Sequence, residues 1–232
     1  MDKKRAAGEK ATEFIKDRMI VGLGTGSTVY YTINKLGEMV ANGLRIKAVS
    51  TSRSTTELAE KLGISLVSLN EIDHIDITID GADEVDDDLN GIKGGGGALL
   101  YEKLVAVSSD KVIWVVDSSK MVKKLGRFPL PVEVIPFAYN QVLNKFKNMD
   151  FSPKVRMKNN SFFVTDGGHY IIDLYLNEIE NPYELQNNLD SMPGVVEHGL
   201  FLNIADTIIV GKENSVEIIN KRYKVKLMGL KR

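Results

Sequence analysis

Residues 80–103 read DGADEVDDDLNGIKGGGGALLYEK, with carboxylates, a lysine and four consecutive glycines set between an apolar strand pattern and an apolar helical pattern. Glycine loses more conformational freedom on folding than any other residue, so four in a row are costly inside a compact domain. Such a run belongs where the backbone must approach something closely. Upstream, Ile75, Ile77 and Ile79 alternate with Asp76, Thr78 and Asp80, the period of two that marks a strand. Downstream, a helix is expected from about 98 to 108, then the apolar strand VIWVV at 112–116, ending at Asp117.

Working outward, residues 3–16 read as an amphipathic helix leading into a short strand at 19–23. The turn GLGTGST at 22–28 follows, and Ser27 or Thr28 is expected to cap a helix running through Val40. Strands near 46–50 and 65–69 bracket a helix at 55–62. Strands alternating with helices imply an α/β fold with a Rossmann-like, mostly parallel sheet covered on both faces. After Pro129 and Pro131 the rhythm changes, marking a boundary. A helix at 136–148 and strands at 154–158 and 161–165 are expected beyond it. A turn at Asp166-Gly167-Gly168 should open a hairpin into 170–176, with a helix from Asn181-Pro182 and a strand at 194–202. This order is that of a small ferredoxin-like α+β unit. The apolar run 205–210 is expected to return to the first sheet. The expected division is therefore 1–127 with 203–232 for the Rossmann-like part and 128–202 for the small one. The basic segment 221–232 is expected to be a surface tail or edge element.

The chain has 232 residues, with 30 Lys and Arg against 31 Asp and Glu. Charge this balanced gives no compositional case for nucleic acid or an anionic membrane, so any anion site must be local. There is no cysteine, which removes disulfides, thiolate metal sites and cysteine nucleophiles. No signal-peptide core and no apolar run long enough for a transmembrane helix is present, so a soluble cytoplasmic protein is expected.

The turn at 22–28 follows a strand and opens a helix, but a dinucleotide fingerprint needs glycine where Ser27 stands. Two readings stand: a tight, serine-capped turn, or backbone N–H groups with the hydroxyls of Thr25, Ser27 and Thr28 holding a small-molecule phosphate at a helix N-terminus. Asp86, Asp88, Asn90 and Gly91 match the start of a calcium loop. Its twelfth position requires Glu and is Gly97, so calcium fails and the acidic run is expected to be a solvated loop tip. His74, His169 and His198 are scattered without metal-ligand spacing. There remain Asp80 at the carboxyl end of a strand, Asp83 three residues on, Lys93 at the start of the glycine run and Glu102 in the following helix. Each has a bland reading as cap or surface charge. Together, a carboxylate base beside a lysine and backbone donors can take a proton next to a carbonyl.

Six ordered motifs carry a family resemblance: GLGTGST (22–28), STSRSTTELA (50–59), DGADE (80–84), KGGGGALLYEK (93–103), DSSK (117–120) and FPLPVEVIP (128–136). Over nearly its whole length the chain resembles the type A ribose-5-phosphate isomerases. The resemblance implies reversible conversion of D-ribose 5-phosphate to D-ribulose 5-phosphate in the pentose phosphate pathway, without a nucleotide cofactor or catalytic metal. It implies that Glu102 is the base that moves a proton between C1 and C2 through a cis-enediolate. Asp80 would assist ring opening and proton movement among the sugar oxygens, with Asp83 beside it and Gly81 and Ala82 between them. Lys93 with the N–H groups of Gly94, Gly95 and Gly96 would hold the enediolate oxygen. Thr25, Gly26, Ser27 and Thr28 would hold substrate, Lys120 matches a binding lysine, and Lys4 matches one that reaches the phosphate. Gly97 stands where relatives often have alanine. A homodimer or homotetramer is also implied. The rival reading, a non-catalytic phosphosugar sensor on a related fold, calls for a helix-turn-helix segment ahead of the glycine turn. A third, a sugar-phosphate deaminase-isomerase or CoA transferase, has other catalytic motifs.

Overall fold

In the computed structural model, which describes residues 2–221, the chain runs in order through α1 (Lys3–Ala11), β1 (Ile20–Leu23), α2 (Val29–Ala41), β2 (Lys47–Ser50), α3 (Arg53–Lys61), β3 (Ile77–Asp80), β4 (Glu84–Val85), β5 (Gly91–Ile92), α4 (Leu99–Val107) and β6 (Val112–Asp117). It continues through β7 (Leu130–Val134), α5 (Tyr139–Asn148), β8 (Pro153–Val155), β9 (Met157–Lys158), β10 (Ser161–Phe162), β11 (Tyr170–Leu174), α6 (Pro182–Asp190), β12 (Val195–His198), β13 (Leu200–Phe201), β14 (Thr207–Gly211) and β15 (Val216–Asn220). Apart from Lys221, the expected basic tail lies outside the described residues.

Strand β6 shows why helices cover both faces of the main sheet. Successive side chains of a strand point to opposite faces. Ile113 and Val115 pack with Val21, Leu23, Ile77 and Ile79 against α1 and α2, whereas Val112, Trp114 and Val116 pack with Ala106, Phe201, Ile208 and Val210 on the other side. Burying each such aliphatic side chain is worth about 1.5–3 kcal/mol. The sheet order is β2-β1-β3-β6-β14-β15, parallel throughout except for the antiparallel edge strand β15. The expected return of residues 205–210 to this sheet is thus realised by β14.

A second, antiparallel sheet has the order β12-β7-β11-β8. Counted within its own strand–helix–strand–strand–helix–strand unit, that is fourth, first, third, second, a ferredoxin-like arrangement. Its core joins Leu130, Val132 and Val134 to Val142, Phe146, Leu185 and Leu189 of the two helices.

Four expectations need correction. Residues 154–158 are not one strand: β8 joins the second sheet, whereas β9 pairs only with β10. Residues 65–69 form only a single bridge, Ala48 to Leu66, because Ser68 and Glu71 make a capping box that turns the chain into a short 3-10 helix. Residues 194–202 are not one strand: the run breaks at Gly199, where an added Cβ would lie 2.3 Å from Lys93 O. Beyond the break, β13 joins β5 and β4 in a small third sheet. The acidic run is the tip of that β4–β5 hairpin. Asp87 and Asp88 are exposed, but Asp86 is half-buried and accepts from Asp88 N and Asn90 N.

Candidate active site

The main sheet reverses its winding between β1 and β3. In doubly wound sheets, ligands bind outside the carboxyl ends of the strands at such a point. The turn after β1 and Asp80 at the end of β3 flank this crevice. Gly24 permits their approach, since a Cβ there would lie 1.9 Å from Asp80 Oδ1. Asp80 Oδ1 in turn accepts from Thr25 N at 3.1 Å and Gly81 N at 2.7 Å.

A cleft of about 130 Å³ opens here, lined by Lys4, Thr25, Gly26, Ser27, Thr28, Gly81, Ala82, Asp83, Lys93, Gly94, Gly95, Gly96, Glu102 and Lys120. That is well below the ~300–1,000 Å³ of drug-sized ligand sites and suits a small metabolite. Every sequence-predicted residue lines it except Asp80. That carboxylate lies one layer behind the wall, covered by the first turn and by Lys93.

At the inner end, Lys93 Nζ donates to Gly81 O at 2.6 Å and lies 2.9 Å from Asp80 Oδ2 and 3.2 Å from Glu102 Oε2. All three side chains are at most 4% exposed. The two carboxylate oxygens sit at ion-pair distance, but neither has a hydrogen bond of good alignment among the described residues. One ammonium therefore serves two buried carboxylates. Burial raises Glu102 to about 8, with Lys93 opposing the shift and Asp80 adding to it. Burial likewise raises Asp80 against the pull of Lys93. For Lys93, burial works against the charge, but Asp80 and Glu102 outweigh it and hold the ammonium protonated. A carboxyl tuned toward neutrality suits reversible proton transfer.

The glycine run forms one wall. Gly94 and Gly97 have left-handed φ of +99° and +83°. Asp83, half-buried on the cleft wall, accepts from Gly95 N at 2.7 Å. The N–H groups of Gly94 and Gly96 have no acceptor among the described residues. At Gly97 a Cβ would meet the Phe163 ring at 2.4 Å, so alanine is not a neutral replacement in this chain.

At the outer end, the N–H groups of Gly26, Ser27 and Thr28 open α2 without acceptors among the described residues. Thr28 occupies the cap position but makes no side-chain cap bond, and Ser27 does not cap either; its Oγ accepts from Lys4 Nζ at 3.0 Å. Lys4 is brought there because Asp2 caps α1, accepting from Lys4 N and Arg5 N. Lys120 arrives on a short 3-10 turn capped by Asp117 at the end of β6. Thr25 differs from expectation: its hydroxyl is bound within a cluster of Thr51, Ser52 and Thr55 hydroxyls, and its N–H goes to Asp80. The STSRST motif thus supplies three hydroxyls that hold Thr25, and its Ser52 also caps α3.

The three histidines were expected to be isolated, yet all three gain acidic neighbours, His169 Nδ1 lying 2.9 Å from Glu133 Oε1. His74 lies near Asp76 and Asp110, and His198 beside Asp190 and Glu197. None of these residues lines the cleft. Sequence reasoning missed Arg156, whose guanidinium reaches the carbonyls of Gly94 and Gly95; no motif surrounds it. No helix among the described residues is long and apolar enough to cross a membrane.

An α/β sheet that brings a buried Lys–carboxylate cluster and a helix N-terminus to one small cleft defines the class: a protein built to bind a small anion and move a proton beside it. The chain belongs to the family described as Ribose 5-phosphate isomerase A (phosphoriboisomerase A), whose profile matches residues 47–215. It is 52% identical over 221 residues to the ribose-5-phosphate isomerase A of Levilactobacillus brevis, covering 94% of this chain and 97% of that one. The protein of the same name from Listeria monocytogenes is 54% identical, covering 95% and 100%. Among solved structures, ribose 5-phosphate isomerase from Plasmodium falciparum superposes with a TM-score of 0.92 at 36% identity, covering 95% and 99%. A D-ribose-5-phosphate isomerase in complex with phospho-erythronic acid gives 0.91 at 39%, covering 94% and 98%.

Proposed function

We propose that this chain interconverts D-ribose 5-phosphate and D-ribulose 5-phosphate as an aldose–ketose isomerase of the pentose phosphate pathway. The observation that supports this best is Glu102, buried beside Lys93, raised to about 8 and facing a cleft with unengaged N–H donors. In the open-chain aldose, Glu102 takes the proton from C2. The C–H electrons become the C1=C2 bond and charge develops on O1, where Lys93 and the Gly94 and Gly96 N–H groups meet it. A donor set in advance for such an oxyanion contributes about 2.7–4 kcal/mol. The O2 proton passes to O1, and Glu102 returns its proton to C1, which completes the ketose with no net change in atoms or charge.

Asp83, on the wall and half-buried, is the group we assign to the sugar oxygens. Asp80, set behind it, acts on the reaction by holding Lys93 and raising Glu102. The phosphate is assigned to the N–H groups of residues 26–28 with Ser27, Thr28, Lys4 and Lys120, where helix dipole and open donors favour an anion. The phosphate-bearing acid bound to the similar structure is an anion of the same kind. The same reading keeps the division at 1–127 with 203–232 and at 128–202, a cytoplasmic location, and a homodimer or homotetramer. The assay is direct: purified protein with ribose 5-phosphate and EDTA should produce ribulose 5-phosphate. Absence of turnover, or turnover only on adding metal, overturns the proposal.

A further inference from the structure

Arg156 lies between β8 of the second sheet and β9 of the β9–β10 hairpin, far in sequence from the glycine run it touches. Its Nη1 donates to Gly94 O at 2.8 Å and Gly95 O at 3.2 Å. The rest of the guanidinium is fixed by a fork onto Asp173, with Nε donating to Oδ2 at 2.9 Å and Nη2 donating to Oδ1. Its own backbone is held on both sides, Arg156 N donating to Ile171 O and Phe163 N to Arg156 O. The Phe163 ring lies 5.8 Å from the guanidinium carbon and packs over Gly97. A half-buried arginine with this many constraints is not a solvated surface charge.

In a planar trans peptide the C=O of one residue and the N–H of the next point in opposite directions. Drawing Gly94 O toward Arg156 turns the Gly95 N–H the other way, onto Asp83 Oδ2 at 2.7 Å. Drawing Gly95 O toward Arg156 turns the Gly96 N–H the same way, toward the cleft that Gly96 lines. Glycine peptides rotate with little steric resistance. Rotation of the 95–96 peptide would present a carbonyl oxygen where negative charge develops. We infer that Arg156, held by Asp173, is a positioning residue that fixes the orientation of the glycine wall and so of its N–H donors. This rests on the reading of that wall as the holder of the enediolate oxygen. Lysine cannot substitute, because its single ammonium cannot fork onto Asp173 while bonding two carbonyls.

Arg156→Met is expected to lower kcat about 10–100-fold, with KM within roughly 3-fold of the parent, since the donors act chiefly in the transition state. Arg156→Lys should not restore the rate, and added guanidinium should restore part of it. Asp173→Asn, which keeps shape and one hydrogen bond, should shift kcat in the same direction by less and guards against a folding defect in the first variant. Glycine-selective 15N spectra supply a readout that needs no substrate: the Gly94–Gly96 amides should move or broaden while Gly22 and Gly43 stay. Unchanged loop amides in both variants, or kcat within twofold of the parent, overturn the inference. The spectra decide it even if the parent protein fails to isomerise ribose 5-phosphate, which would count against the proposed activity alone.

Discussion

The cleft is built from two glycine turns that solve opposite electrostatic problems. The turn at 22–28 offers N–H groups at the start of a thirteen-residue helix, with Lys4 and Lys120 half-buried at its rim. An anion entering there meets donors and cations still in contact with water. The turn at 93–97 surrounds a lysine and two carboxylates withdrawn from water, where each charge interaction is stronger and each unpaired group costlier. The first turn follows β1 of the main sheet and the second follows β5 of the small third sheet, yet both line one cleft. What separates them is burial: the first is suited to recognising a charge that is always present, the second to stabilising one that appears only during reaction.

Substitutions can break this contrast. Glu102→Gln should have the largest effect, lowering kcat by about 10²–10⁴-fold while isothermal titration still detects substrate binding through the outer turn. Lys93→Met comes next, because removing the shared cation leaves two buried carboxylates uncompensated. Thermal or denaturant unfolding should show a loss of about 3–5 kcal/mol, with a fall in kcat exceeding any rise in KM. Lys4→Ala should be the mildest, raising KM with kcat nearly unchanged and weakening the dependence of KM on salt, since its charge is screened. A dominant kcat effect at Lys4, or a pure KM effect at Lys93, would exchange the roles assigned to the two turns.

Much of this division could be read from the chain. The pattern through Ile75, Ile77 and Ile79 located β3 and thus Asp80, and the spacing from Lys93 to Glu102 put both at one strand–helix junction. What escaped has physical reasons. Strands β4, β5 and β13 are two residues long, too short for any periodicity to register. Arg156 meets the glycine wall only through tertiary packing, and nothing local distinguishes it from a surface arginine. Thr25 stood in a motif whose hydroxyls suggested a ligand, yet its own hydroxyl bonds those of Thr51, Ser52 and Thr55, and Thr51 and Thr55 donate in turn to the Leu23 and Gly24 carbonyls. Asp80 was legible as a residue but not its depth, because that depends on how closely Gly24 lets the first turn approach.

The central claim is that burial, opposed by the shared ammonium of Lys93 and aided by the neighbouring Asp80, holds Glu102 far above an ordinary glutamate. A carboxyl raised in the folded state binds its proton more tightly there than in the unfolded chain. Its contribution to stability is therefore full below about 4.5 and is lost as pH rises toward about 8. A carbon-13 titration of the glutamate side chains, assigned by comparison with Glu102→Gln, measures this directly in the parent and in Asp80→Asn. The account predicts a midpoint near 8 for Glu102 in the parent and a lower one when the neighbouring carboxylate is neutralised. A Glu102 that titrates like an exposed glutamate, and is indifferent to Asp80, would contradict it.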